Sequence, residues 1–175
     1  MNKYKRRPKT RWHPLSLQTL SPQRFSAVVN RILRGDLSVM ALRSPHHGKK
    51  VLVTDDNSDH IEIIVEYLEA DLGVLVDVAR SPDECLKKLQ IGWYDLLILD
   101  YRLPKHDGLW VIDQICRRGR LLPVLMMTSF FSEELGRRIS RNYSVEIVSK
   151  TASFRLIARR AGRMLAGTAA RPVAG

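Results

Sequence analysis

The sequence predicts an α/β fold: a doubly wound, five-stranded parallel sheet with helices on both faces, preceded by a basic N-terminal extension. Three observations predict it. After Lys49, short apolar runs alternate with amphipathic stretches, the rhythm of repeated strand and helix units. The run Leu96-Leu97-Ile98-Leu99 is apolar at every position, as suits a strand covered on both faces of a parallel sheet. The cationic excess, finally, is confined to the start of the chain. Residues 1–50 hold twelve Lys and Arg against one acid, Asp36, a net +11, whereas the remainder balances 17 basic with 17 acidic residues.

Residues 1–14 are charged and lack hydrophobic periodicity, so they are expected to be disordered. Ser21-Pro22 followed by Phe25, Val28, Val29 and Ile32 at helical spacing predicts a short helix near 21–34. Ser44-Pro45-His46-His47-Gly48 reads as a linker, which closes the extension at residue 48. The folded domain is placed at 49–167 and a flexible tail at 168–175.

Within that domain the first strand is expected at 51–54 and the first helix at 59–69, where Ile61, Ile64, Val65 and Leu68 share a face. A strand at 74–79 leads to Ser81-Pro82, a helix start for a segment reaching about Gln90. The apolar run 96–99 ends on Asp100, and a helix at 109–118 follows the Asp107-Gly108 turn. Gly108 is expected to supply that turn's backbone conformation. A strand at 124–127, a helix near 132–141, a strand at 145–148 and a helix at 152–166 complete five units. The last helix buries Phe154, Ile157, Ala158, Ala161 and Leu165, leaving Arg155, Arg159 and Arg163 as a solvated stripe.

Two cysteines, Cys85 and Cys116, lack metal-ligand spacing and are too few for a disulfide framework, so a reducing cytoplasm is the expected compartment. No run approaches the roughly 18 apolar residues of a membrane span. An apolar signal segment is also missing, while the Arg-rich start leaves an organellar transit peptide as a minor alternative.

Ligands of open parallel sheets bind beyond the carboxyl ends of the strands. The polar residues that follow the strands are Asp55 and Asp56, then Asp100, Thr128 and Lys150. Carboxylates about 4 Å apart repel by roughly 1–4 kcal/mol per pair at surface-like dielectric, so three of them call for a cation. An all-oxygen site suits Mg²⁺. With the Lys150 ammonium and the Thr128 hydroxyl, the group makes a pocket for a phosphoryl oxygen cluster. Taken alone, Asp55 and Asp56 would instead read as helix-capping residues.

The segments Val51-Leu52-Val53-Thr54-Asp55-Asp56-Asn57 and Leu97-Ile98-Leu99-Asp100-Tyr101-Arg102-Leu103-Pro104-Lys105-His106-Asp107-Gly108-Leu109, with Thr128-Ser129 and Ser149-Lys150, resemble the four signature blocks of two-component response-regulator receiver domains. The spacings agree, with 44 residues from Asp56 to Asp100 and 22 from Thr128 to Lys150. The resemblance spans about 49–166 and implies a flavodoxin-like sheet of order 2-1-3-4-5. It implies Asp100 as phospho-acceptor, served by a histidine kinase or phosphotransfer protein. Mg²⁺ would be held by Asp55, Asp56, Asp100 and the Arg102 backbone carbonyl. Lys150 would pair with the carboxylate or phosphoryl oxygen, and Thr128 would move inward to bond the phosphate. The implied output is switched protein contact rather than enzymatic turnover. A phosphatase using an aspartyl-phosphate would favour Asp-x-Asp after the first strand and a cap insertion, and neither is present.

The chain departs from the family pattern in three places. Thr151 stands where a cis proline is usual, Ile147 replaces a common aromatic, and Phe130-Phe131 follow Thr128-Ser129 where smaller residues are commoner. Ile147 makes coupling by ring rotation unavailable. Of the histidines, His106 is expected in a solvated loop and His46 and His47 in the linker. The basic extension, with Tyr4 and Trp12 among its cations, suits contact with nucleic acid or another polyanion, while anionic lipid, an acidic protein partner or plain solubility fit equally well; no helix-turn-helix accompanies it, so sequence-specific DNA recognition is not expected.

Overall fold

The computed structural model describes residues 44–129, 133–139 and 144–168. The N-terminal extension with its helix near 21–34, the Phe130-Phe131 pair and the tail beyond residue 168 lie outside the described residues. The elements are β1 (Lys50–Thr54), α1 (Ser58–Leu72), β2 (Leu75–Ala79), α2 (Pro82–Ile91), β3 (Leu96–Asp100), α3 (Gly108–Arg117), β4 (Val124–Thr128), α4 (Glu133–Ile139), β5 (Val145–Ser149) and α5 (Phe154–Gly167).

All strand pairs are parallel, in the order β2-β1-β3-β4-β5. Alternation along the strands divides the core into two layers. Val51, Val53, Leu96, Ile98, Leu125 and Met127 face Ile64, Leu68, Ile157 and Ala161, so α1 and α5 cover one side of the sheet. Leu52, Leu97, Leu99, Val124 and Met126 face Leu86, Leu89, Ile112, Ile115 and Leu135, so α2, α3 and α4 cover the other. β3 is buried along its whole length, as its apolar sequence requires.

Local capping sets where the helices begin. Asn57 accepts from the His60 N–H at 3.0 Å and starts α1, so the capping role belongs to Asn57 rather than to Asp55 or Asp56. Ser81, Asp107 and Ser153 act likewise for α2, α3 and α5. The last helix accordingly begins at Phe154, not at residue 152. α1 runs three residues beyond its expected end at 69, and Gly73 closes it in the left-handed region at φ 64°.

Two expectations are corrected. Segment 44–48 is not a bare linker: it folds as a turn, with the His47 N–H donating to the Ser44 carbonyl at 3.0 Å, and His46 is buried beside Gly162 of α5. Gly108 is not a left-handed turn residue either. A β-carbon there would stand 2.9 Å from the Asp100 carbonyl oxygen and 3.2 Å from Tyr101 Cα, so close backbone approach demands glycine. The positive φ in this loop, 70°, belongs to Lys105. The arginine stripe of α5 is exposed as expected, with Arg163 paired to Glu146 at 3.1 Å.

Candidate functional site

In this strand order the chain reverses direction across the sheet between β1 and β3, which opens a crevice at their carboxyl ends. The ladder continues one residue past several strands. Asp55 N donates to the Ala79 carbonyl (3.2 Å), Tyr101 N to Met127 (2.8 Å) and Lys150 N to Thr128 (2.8 Å). These bonds bring the residues expected of the site to one edge.

Asp55 and Asp100 are buried and Asp56 is exposed, and their carboxylate oxygens include a set lying within 4.8 Å of one another. Lys150 bridges the two buried carboxylates: Nζ stands 2.6 Å from Asp100 Oδ2 and 3.1 Å from Asp55 Oδ1. Thr128 is buried at the end of β4, where Ser149 is its register partner on β5. The Arg102 N–H leans toward Asp100 Oδ1 at 3.4 Å.

Burial pushes the Asp55 carboxyl up, but bonds from His60, the Asn57 N–H and Lys150 together outweigh it and hold the group below its ordinary value. Asp100 goes the other way. Burial and the neighbouring Asp55 charge outweigh Lys150 and the Arg102 N–H, so its carboxyl sits above the ordinary range. Burial alone would lower Lys150, and its bonds to Asp100 and Asp55 reverse this, leaving it raised. The Lys150–Asp100 contact is attractive for both partners; the strain on Asp100 comes from burial and from Asp55. Such crowding of carboxylates around one ammonium is what a divalent cation would relieve, and the hard oxygen donors of Asp55, Asp56 and Asp100 fit Mg²⁺.

Thr151 does not displace Lys150. The turn is instead held by hydroxyls, with Ser149 Oγ and Thr151 Oγ1 2.7 Å apart and the Thr151 N–H donating to Ser149 Oγ at 3.2 Å. Ile147 packs half-buried against the α2–α4 layer, and its carbonyl accepts from Arg160 at 3.0 Å. His106 is half-buried rather than fully solvated, stacked on Trp110 with ring centroids 3.9 Å apart.

One residue at this site escaped the sequence reading. His60, in the first turn of α1, places Nδ1 2.7 Å from Asp55 Oδ2. The available signal was its position: the first turn of a helix that follows a strand faces the same crevice as the residue ending that strand.

The family model for the response regulator receiver domain matches residues 51–161. The chain belongs to this family. Receivers are signalling domains, and this one carries the fold throughout the matched region. Among related proteins, the alkaline phosphatase synthesis transcriptional regulatory protein PhoP of Bacillus subtilis (strain 168) is 37% identical over 82 residues, which is 47% of this chain and 34% of that protein. A protein-glutamate methylesterase/protein-glutamine glutaminase of Chromobacterium violaceum is 26% identical over 107 residues, 59% of this chain and 30% of that one. The chain thus spans about a third of the length of these curated relatives. Among solved structures, the receiver domain of Francisella response regulator 1452 superposes with a TM-score of 0.62 at 22% identity, covering 68% of this chain and 98% of that one. The response regulator TrrA of Thermotoga maritima, solved in complex with Mg²⁺ and BeF, gives 0.59 at 28% identity over 66% of this chain and 98% of that one. No helix among the described residues is long and apolar enough to cross a membrane.

Proposed function

We propose that this receiver, bounded at about 49–167, accepts a phosphoryl group on Asp100 from a histidine kinase or phosphotransfer protein and thereby switches its protein contacts. The observation that carries the reading is the bridge from Lys150 to Asp100 and Asp55 beside an exposed Asp56. It fits a site that binds negative charge on one side and supplies a carboxylate nucleophile on the other.

A carboxylate oxygen of Asp100 attacks phosphorus, the bond to the donor's nitrogen or oxygen breaks, and the donor group departs with the electron pair. Lys150 is already placed to stay with the modified side chain and neutralise a phosphoryl oxygen. Thr128, at the end of the neighbouring strand, offers a hydroxyl donor to another, and its backbone is tied to Lys150, so a shift at one is felt by the other. Asp55, Asp56, Asp100 and the Arg102 carbonyl would hold Mg²⁺. When bound, the ion offsets the charge that builds up on the equatorial oxygens. TrrA, solved with Mg²⁺ and BeF, supports the same ion here.

Incubation with Mg²⁺ and acetyl phosphate, followed by intact mass, tests the reading. One phosphoryl adduct that requires Mg²⁺ and disappears in Asp100→Asn is expected. A wild-type chain left unlabelled under conditions that label a control receiver would overturn it.

A further inference from the structure

Asp55 is restrained from a side that the proposed phosphoryl chemistry does not use. Its Oδ1 accepts from the Asn57 N–H at 3.0 Å, and its Oδ2 lies 2.7 Å from His60 Nδ1. Asn57 makes both contacts possible, because its own side chain accepts the His60 backbone N–H at 3.0 Å and folds the first turn of α1 back over the strand end. An ionised carboxylate only accepts hydrogen bonds, so His60 must carry its proton on Nδ1.

The imidazole is held firmly on its other edge. Its side chain is 12% exposed, and the ring packs on Phe154 with centroids 5.2 Å apart; Phe154 in turn stacks on Tyr67 at 6.0 Å. His60 Nε2 is buried and has no partner among the described residues. The bond through Nδ1 is thus the polar contact that the ring makes among the described residues. The result is a fixed carboxylate plane: the Asn57 N–H on Oδ1 and His60 on Oδ2 add to Lys150, which lies 3.1 and 3.0 Å from the two oxygens, so Asp55 cannot rotate without breaking a bond. A residue sharing a small cation with Asp56 and Asp100 has to present its lone pairs in a set direction.

We propose that His60 is a positioning residue for the acidic cluster, its Nδ1–H fixing Asp55 in the orientation that holds Mg²⁺. The proposal rests on the receiver chemistry set out above. It differs from a simple packing role in requiring a donor at Nδ1, one bond beyond Cγ. His60→Asn keeps a donor on Cγ, His60→Gln moves it one bond farther, and His60→Leu keeps bulk without a donor.

The Mg²⁺ dissociation constant of each variant, measured by calorimetry with MgCl₂ alone, is the primary readout. His60→Leu should weaken binding by at least about tenfold, the lower end of what loss of an outer partner costs a metal site. His60→Asn should recover most of that loss and His60→Gln should not. Labelling of Asp100 by acetyl phosphate should fall in His60→Leu at low Mg²⁺ and return to the wild-type rate at saturating Mg²⁺. Long-range ¹H–¹⁵N spectra of the wild-type ring give a check independent of any variant's folding, with Nδ1 expected as the protonated nitrogen. Protonation on Nε2 alone, or equal Mg²⁺ affinity in the Leu and Asn variants, overturns the role of His60. A wild type that neither binds Mg²⁺ nor takes a phosphoryl group would instead overturn the receiver chemistry beneath it.

Discussion

The Lys150 ammonium touches two buried carboxylates at once, 2.6 Å from Asp100 Oδ2 and 3.1 Å from Asp55 Oδ1, so one cation is shared between two anions. Asp55 side-chain exposure is 0% and that of Asp100 is 3%, whereas the Lys150 side chain keeps 21%, so the lysine is the least buried of the three. Lys150→Met should therefore destabilise the fold by about 2 kcal/mol in metal-free buffer, below the full penalty for breaking a deeply buried pair because the lysine is partly solvated. Adding Mg²⁺ should shrink the deficit, since the ion replaces the lost charge. Urea denaturation of both proteins with and without Mg²⁺ checks this.

Asp100 and Asp55 make opposite contributions to stability as pH changes. The folded-state value of Asp100 is raised, so the folded chain holds that proton more tightly than the unfolded one, and stability is lost as pH rises through the raised value. That of Asp55 is lowered, so its contribution is present at neutral pH and is lost as pH falls below the ordinary carboxylate range. Asp100→Asn removes the first effect, the Lys150–Asp100 contact included in it, and leaves the Asp55 bonds from His60 and the Asn57 N–H in place. In metal-free buffer its melting temperature should exceed that of wild type at neutral pH, with the gap closing as pH falls toward about 4. Thermal melts across that range report the gap, and one that widens on acidification contradicts the assignment.

Gly108 supports Asp100 through space rather than through its own dihedral angles. The Asp100 carbonyl and the Tyr101 backbone leave no room for a β-carbon, and neither can yield as a flexible side chain would. Gly108→Ala should cost about 1–3 kcal/mol, in the range of other overpacking changes. It should also slow acetyl phosphate labelling of Asp100. Denaturant unfolding and intact mass would show both effects, and a variant as stable as wild type would mean that α3 shifts freely.

Much of this protein was legible without coordinates because strand ends are easy to read. An apolar run that stops on Asp55, Asp100 or Thr128 gives both the strand and the residue it delivers to the crevice. The pattern was less informative wherever a residue's role depends on what another segment brings to it. Nothing in the local sequence distinguishes His46 in a linker from His46 buried against α5, because Gly162 lies more than a hundred residues away. Gly108 was assigned to a turn conformation because a glycine after Asp107 has that meaning locally, while its real constraint is the backbone of β3. Thr151 departs from the family pattern, yet hydroxyl bonds to Ser149 hold the turn with Lys150 in place.

The sequence by itself determined the order of the elements, the faces the helices bury and the five strand-end residues, since periodicity and capping act over a few neighbours. It also carried the family, because four short blocks at fixed spacing are a local property of the chain. Only the tertiary structure decided that one ammonium serves two carboxylates, that Asp100 is strained while Asp55 is relieved, and that His60 lies against Asp55. Those outcomes depend on distances of a few ångströms between separate segments and on how much water reaches each charge, which folding sets and sequence spacing does not.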